Sequence, residues 1–165
     1  MTRMISRGLV LVAGLAAFSG QADPVSPPIK PAVSTDPRLI RIRQYFIERD
    51  CPAHQYAEDF LLAADRHNLD WRLLPSLSMI ESTGGKEARN NNMFGWDNCD
   101  VRFNTHQEGI HLVASRLAQS PFYKGKSLDR KLKTYNPRPQ YGRKVKLVMA
   151  QLGPADLAPA GNYHQ

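Results

Sequence analysis

Apolar positions recur at spacings of three and four along most of the chain, the pattern of amphipathic helices. Leu39, Ile42 and Phe46, flanked by Ile40 and Ile47, form one such face, and Asp36-Pro37 supplies an N-cap followed by proline at the first helical position. Cys51-Pro52 is expected to end this helix. A second helix is predicted from His54 to His67, on Tyr56, Ala57, Phe60, Leu61 and Ala64. The third is the most apolar, with Leu73, Leu74, Leu77 and Ile80 in register and Met79 beside them. Asp70 is its expected N-cap, and Gly84-Gly85 its stop. Thr105 and Glu108 make a capping box that opens a fourth helix, with Ile110, Val113, Ala114 and Leu117 inward. A short basic helix follows over Ser127 to Lys133. A last one is predicted from Pro139 to Leu152, with Tyr141, Val145, Val148, Met149 and Leu152 inward and Gly153-Pro154 as its stop. The only strand expectation is a short hairpin around Trp96 to Phe103. The fold class is therefore all-α.

The ends differ from this middle. Arg3 and Arg7 precede an apolar run from Gly8 to Phe18, and the small residues Ser19, Gly20 and Ala22 follow. This is the layout of a secretory signal peptide over residues 1–22, cut after Ala22. The run falls short of the roughly 20 apolar residues that span a membrane, so no stable membrane insertion is expected after cleavage. Residues 23–36, with Pro24, Pro27, Pro28 and Pro31, read as an extended linker. Residues 153–165 read as a disordered tail. Between them lie about 115–120 residues, enough for a domain that folds alone as a monomer.

Composition narrows the partners. The net charge of +7 suggests a polyanion, either nucleic acid, anionic lipid or wall polymer. Export, to the periplasm or beyond the cell, makes nucleic acid a poor partner and cell wall a good one. An exported chain with two cysteines is expected to join them, Cys51 to Cys99. Such a bridge closes a loop of roughly 50 residues and contributes up to about 4 kcal/mol in the chain-entropy view. No Cys/His spacing suits a metal, and no cofactor motif is present.

One acid stands out. Glu81 sits one turn after Leu77, near the same face, in the last turn of the most apolar helix. The negative end of the helix dipole and nearby apolar surface both disfavour a carboxylate there. A carboxyl kept protonated in this way suits a general acid. The plainer alternative is a solvent-facing Glu paired with Lys86 or Arg89. Beyond Gly85, Asn90, Asn91 and Asn92 suit tight-turn backbone, and Asn91 or Asn92 can line a sugar subsite. Met93, Phe94 and Trp96 return apolar surface to the vicinity of Glu81, and Trp96 either stacks on a sugar ring or packs in the core. Asp97 and Asp100 are the candidates for a second carboxylate. Glu108 is committed to its cap.

Three segments also carry a family resemblance. Ile80-Glu81-Ser82-Thr83-Gly84-Gly85 resembles the Glu-Ser-x-Gly signature of lytic transglycosylases and related lysozyme-like enzymes. Asn91-Asn92-Met93-Phe94-Gly95-Trp96 resembles a segment of bacterial endo-β-N-acetylglucosaminidases. Tyr135-Asn136-Pro137 resembles the Tyr-Asn motif that follows in both groups. The resemblance runs in the family's order from Asp36 to Leu152. It implies a mainly helical lysozyme-like domain over residues 37–152 that cleaves β-1,4 bonds of peptidoglycan strands, with Glu81 as acid and base. It further implies substrate contacts from Ser82, Asn91, Asn92, Phe94, Trp96, Tyr135 and Asn136, with Tyr135 bonded to Glu81 or to the sugar's acetamido group. The glucosaminidase branch is expected. A lytic transglycosylase giving 1,6-anhydro products and a non-catalytic wall-binding module are the alternatives.

Overall fold

The Asp36 carboxylate accepts the Arg38 N–H at 2.9 Å and so opens helix α1, Pro37–Ile47. The computed structural model describes residues 36–157. The signal peptide, almost all of the linker and the end of the tail lie outside the described residues. A 3-10 turn at Pro52–Tyr56 leads into α2, Ala57–Arg66, and then come α3, Leu73–Ser82, and α4, His106–Gln119. Two shorter helices close the order, α5 at Leu128–Tyr135 and α6 at Tyr141–Leu152. The described part is mostly helical and contains no strand. Its only bridge pairs Arg89 with Asn92.

Several boundaries differ from the pattern for local reasons. α1 stops at Ile47, and Asp50 then takes positive φ (50°), which no helix continues. The second predicted helix is broken in two, because Pro52 starts a tighter turn and Tyr56, at φ −107°, leaves helical geometry. The expected Asp70 N-cap is corrected: Asp70 accepts the Arg72 N–H at 3.0 Å in the preceding turn, and the helix begins at Leu73 with Arg72 at its N-cap and no capping side chain. The expected hairpin near Trp96 is corrected to a 3-10 turn, Trp96–Cys99, in which Asp97 and Asn98 are left-handed. The reason is a side chain. Asn92 Nδ2 donates to the carbonyls of Trp96 (2.9 Å) and Val101 (3.3 Å), so an amide replaces the facing strand.

α3 is the centre. Leu73, Leu74, Pro75, Ser76, Leu77, Ser78 and Ser82 are all buried, so the helix is enclosed nearly all round. It packs on α2 and α6, while α4 covers α2 and α5 lies on α6. Phe46 stacks on Phe60 at 5.8 Å, and Phe60 meets Phe94 edge-on at 6.3 Å, which joins α1 and α2 to the loop after α3.

The end of α3 is tightly constrained. Thr83, Gly84 and Gly85 all have positive φ. A Cβ on Gly84 would stand 2.7 Å from Cys51 Cβ and 3.0 Å from Phe46 Cδ1. Ala53 N–H donates to the Gly84 carbonyl at 3.0 Å, tying this corner to the turn after α1. The corner also bears on the cysteines. Cys51 is a buried free thiol whose Sγ donates to the Arg49 carbonyl at 3.4 Å. The expected Cys51–Cys99 disulfide is therefore not supported, since the Cys51 sulfur is packed against Gly84 rather than bonded. The side chain of Cys99 lies outside what is described.

Gly84→Ala meets both a left-handed backbone and occupied space, so it should cost about 2–4 kcal/mol in urea unfolding. Gly125 also has positive φ (71°), but nothing lies near its missing Cβ. Gly125→Ala should then cost only about 1 kcal/mol, the backbone part alone. Equal losses for the two variants would show that the Gly84 corner is not tightly packed.

Candidate active site

Glu81 keeps part of its surface open at the end of a helix that is otherwise enclosed. Tyr141, in the first turn of α6, donates its hydroxyl to Glu81 Oε1 at 2.5 Å. Tyr141 is itself buried (5% exposed), so its ring is fixed by packing and the hydrogen bond aims the carboxyl. Burial is the largest influence on Glu81 and raises its pKa above the ordinary carboxyl value. The Tyr141 hydrogen bond and the Arg138 charge oppose this but do not cancel it. The Tyr141 hydroxyl is pushed strongly upward, first by burial and then by Glu81, so it remains a donor.

An aromatic row continues from this pair. Tyr135, the last residue of α5, stacks on Tyr141 with centroids 6.0 Å apart and planes 8° apart. Trp96 meets Tyr135 edge-on at 5.8 Å, and Tyr123 lies 6.2 Å beyond Trp96. Trp96, Asp97, Asn98, Phe122, Tyr123 and Tyr135 line an open cleft of about 400 Å³. Glu81 is not on its wall but is linked to it through Tyr141, which stacks on Tyr135. Phe122, on the same wall, is 72% exposed.

The residues singled out from the sequence divide into two sets. Trp96, Tyr135 and Asp97 lie together on the cleft wall, and Glu81 is linked to their row through Tyr141. Ser82 does not reach the cleft. It is buried, its Oγ donates to the Met93 carbonyl at 2.8 Å with the Ser78 carbonyl at 3.2 Å, and it accepts the Gly85 N–H. Asn92 is 1% exposed and spends its amide on the backbone of residues 94, 96 and 101. Asn91 Nδ2 donates to the carbonyls of Phe103 (2.9 Å) and Asn104 (3.1 Å). Phe94 is a core residue. These four hold the loop that carries Trp96, and the side chains of Ser82, Asn92 and Phe94 are buried beneath it.

Asn136 makes a turn, accepting the Arg138 N–H at 3.1 Å. Asp100 is exposed, and its N–H bonds back to the Asp97 carbonyl at 2.9 Å. Among the described residues, neither Asp97 nor Asp100 shares a hydrogen bond with Glu81. Glu108 serves its cap, with Oε2 accepting from Asn104 N–H at 2.7 Å while Thr105 Oγ1 accepts from Glu108 N–H at 3.1 Å. Among the described residues no three metal-ligating side chains cluster, and no helix is long and apolar enough to cross a membrane.

Two participants were not expected. The Glu81 partner is Tyr141 rather than Tyr135, whose hydroxyl instead donates to the Phe94 carbonyl at 2.6 Å. Arg138 supplies the nearby positive charge, not Lys86, whose Nζ donates to the Arg49 carbonyl. One signal pointed to Tyr141: a tyrosine on an apolar helix stripe carries a hydroxyl that must find a buried partner. Comparison with protein-family models and with curated proteins returned no match to this chain.

The Glu81 carboxyl binds its proton more tightly folded than unfolded. Its contribution to stability is thus present at low pH and is lost as pH rises through the raised folded pKa. Glu81→Gln should therefore be more stable than the wild type at pH 7, with the difference closing below about pH 4. Tyr141→Phe removes the donor that favours the carboxylate, so carbon-13 NMR of the Glu81 carboxyl should show it titrating at higher pH. A Glu81 signal that stays put in Tyr141→Phe would mean that the hydroxyl does not govern this group.

Proposed function

We propose that this chain is an exported glycosidase that cleaves β-1,4 bonds of peptidoglycan, with a lysozyme-like helical domain and Glu81 as general acid and base. The observation that carries this reading is a single carboxyl with a raised pKa, fixed by a tyrosine at the end of a buried helix and backed by an aromatic cleft. Aromatic walls suit the apolar faces of sugar rings.

In this reading a strand lies along the aromatic row from Trp96 past Tyr135 to the open part of Glu81, with a sugar against Trp96. Tyr141 holds Oε1, so the acidic proton rides on the other oxygen of Glu81. That proton passes to the glycosidic oxygen as the bond to C1 breaks, leaving an oxocarbenium-like centre. Glu81, now a carboxylate, takes a proton from the group that attacks C1. In an endo-β-N-acetylglucosaminidase the final attacker is water, with Asp97, on the cleft wall, as a candidate second carboxylate. In the alternative reading the sugar's own 6-hydroxyl attacks and a 1,6-anhydro end results, with no second carboxylate required. Both routes use the same acid.

Purified peptidoglycan should release fragments with the wild-type chain, and Glu81→Gln should lower that rate by about 10²–10⁴-fold, the usual size of a lost acid–base group. Mass spectrometry of the new ends separates the routes: reducing N-acetylglucosamine for hydrolysis, anhydro-muramyl for transglycosylation. The rate should fall as pH rises through the Glu81 pKa, and Tyr141→Phe should move that limb upward. Binding of the polymer without any release, at any pH, would replace the enzyme reading with a wall-binding module.

A further inference from the structure

A second cleft, of about 500 Å³, lies between α5 and α6. Lys133, Arg138, Arg143 and Lys146 line it, against one carboxylate, Asp129. Lys146 Nζ donates to Asp129 at 2.8 Å, so that acid is already compensated. Among the described residues, Lys133 and Arg143 have no ion-pair partner. The helix adds to the same field. α6 begins without a capping side chain and without an acid in its first turn, and Gly142 of that turn lines the cleft. Positive charge gathered in this way, against Asp129 alone among the described lining residues, suits an acidic ligand.

Its position says which ligand. Tyr135 lines the aromatic cleft, and the next residue, Asn136, lines the basic one. Arg138, on the basic wall, acts on Glu81. One extended polymer can therefore meet both clefts at once. The cations come from α5, from the connecting loop and from α6. That spread fits a short chain with several carboxylates better than one phosphate group.

We infer that the basic cleft takes the acidic stem peptide of the strand whose sugars lie against Trp96, so that the chain prefers peptide-bearing glycan. This rests on the glycosidase reading. Lys133 and Arg143 are exposed and are not part of the Glu81 site, so Lys133→Gln with Arg143→Gln tests the cleft while sparing the chemistry. The substrates are soluble glycan strands with their peptides and the same strands after an amidase has removed them.

The wild type should show the lower KM on peptide-bearing strands. The double variant should raise that KM by about three- to tenfold at low salt, with kcat unchanged and no effect on peptide-free strands. Equal effects on both substrates, or none on either, would overturn the inference and leave the glycosidase intact. If the wild type cuts neither substrate, the glycosidase reading falls, and binding decides the cleft by itself. Tryptophan fluorescence would then follow titration with a disaccharide tetrapeptide, with the peptide-free disaccharide and with inorganic phosphate. Peptide-dependent binding lost in the double variant supports the stem-peptide site. Phosphate binding in its place, or none that the double variant changes, overturns it.

Discussion

Nearly every face of α3 is covered by another element, so its polar exit must fall at a chosen point. That point is the last turn, where Glu81 emerges between α6 and the aromatic row. The corner that follows is set by Gly84, whose backbone fits only because no Cβ meets Cys51 and Phe46. The corner sends the chain into the Asn-rich loop, and the loop returns Trp96 toward the helix it left. If the helix end moved, the acid and the aromatic wall would move relative to each other.

The polar residues of this loop form a frame. Ser82 fastens the helix end to Met93, Asn92 gathers the turn around Trp96, and Asn91 ties the loop to residues 103 and 104. Buried amides must be satisfied, and here they are satisfied by backbone groups that would otherwise need a strand. The aromatic wall thus rests on hydrogen bonds beneath it, and Tyr135 adds one more through its bond to the Phe94 carbonyl.

Glu81 shows how opposing effects set a group's chemistry. Burial favours its neutral form, whereas Tyr141 and Arg138 favour its charged form. A proton donor that must later accept a proton needs both forms within reach. The same Arg138 borders the basic cleft, so charge that tunes the acid also belongs to the surface beside it.

The helices were legible in the chain because their causes are local. Periodic apolar positions, the Asp36 cap, the Thr105 cap and the stop at Gly84 act within a few residues of where they stand. The candidate acid was legible for the same reason, since Glu81 breaks the apolar pattern of its own helix. Its partner was not. Tyr135 and Tyr141 both follow Glu81 by more than fifty positions, and only the packing of α6 on α3 decided which hydroxyl reaches the carboxyl. Packing likewise turned Ser82, Asn92 and Phe94 inward, left Cys51 a free thiol, and set a 3-10 turn where a hairpin was expected. The sequence by itself determined where helices run and where a carboxyl is exceptional. The tertiary structure alone decided which side chains meet, because those contacts join residues that are close only once the core has formed.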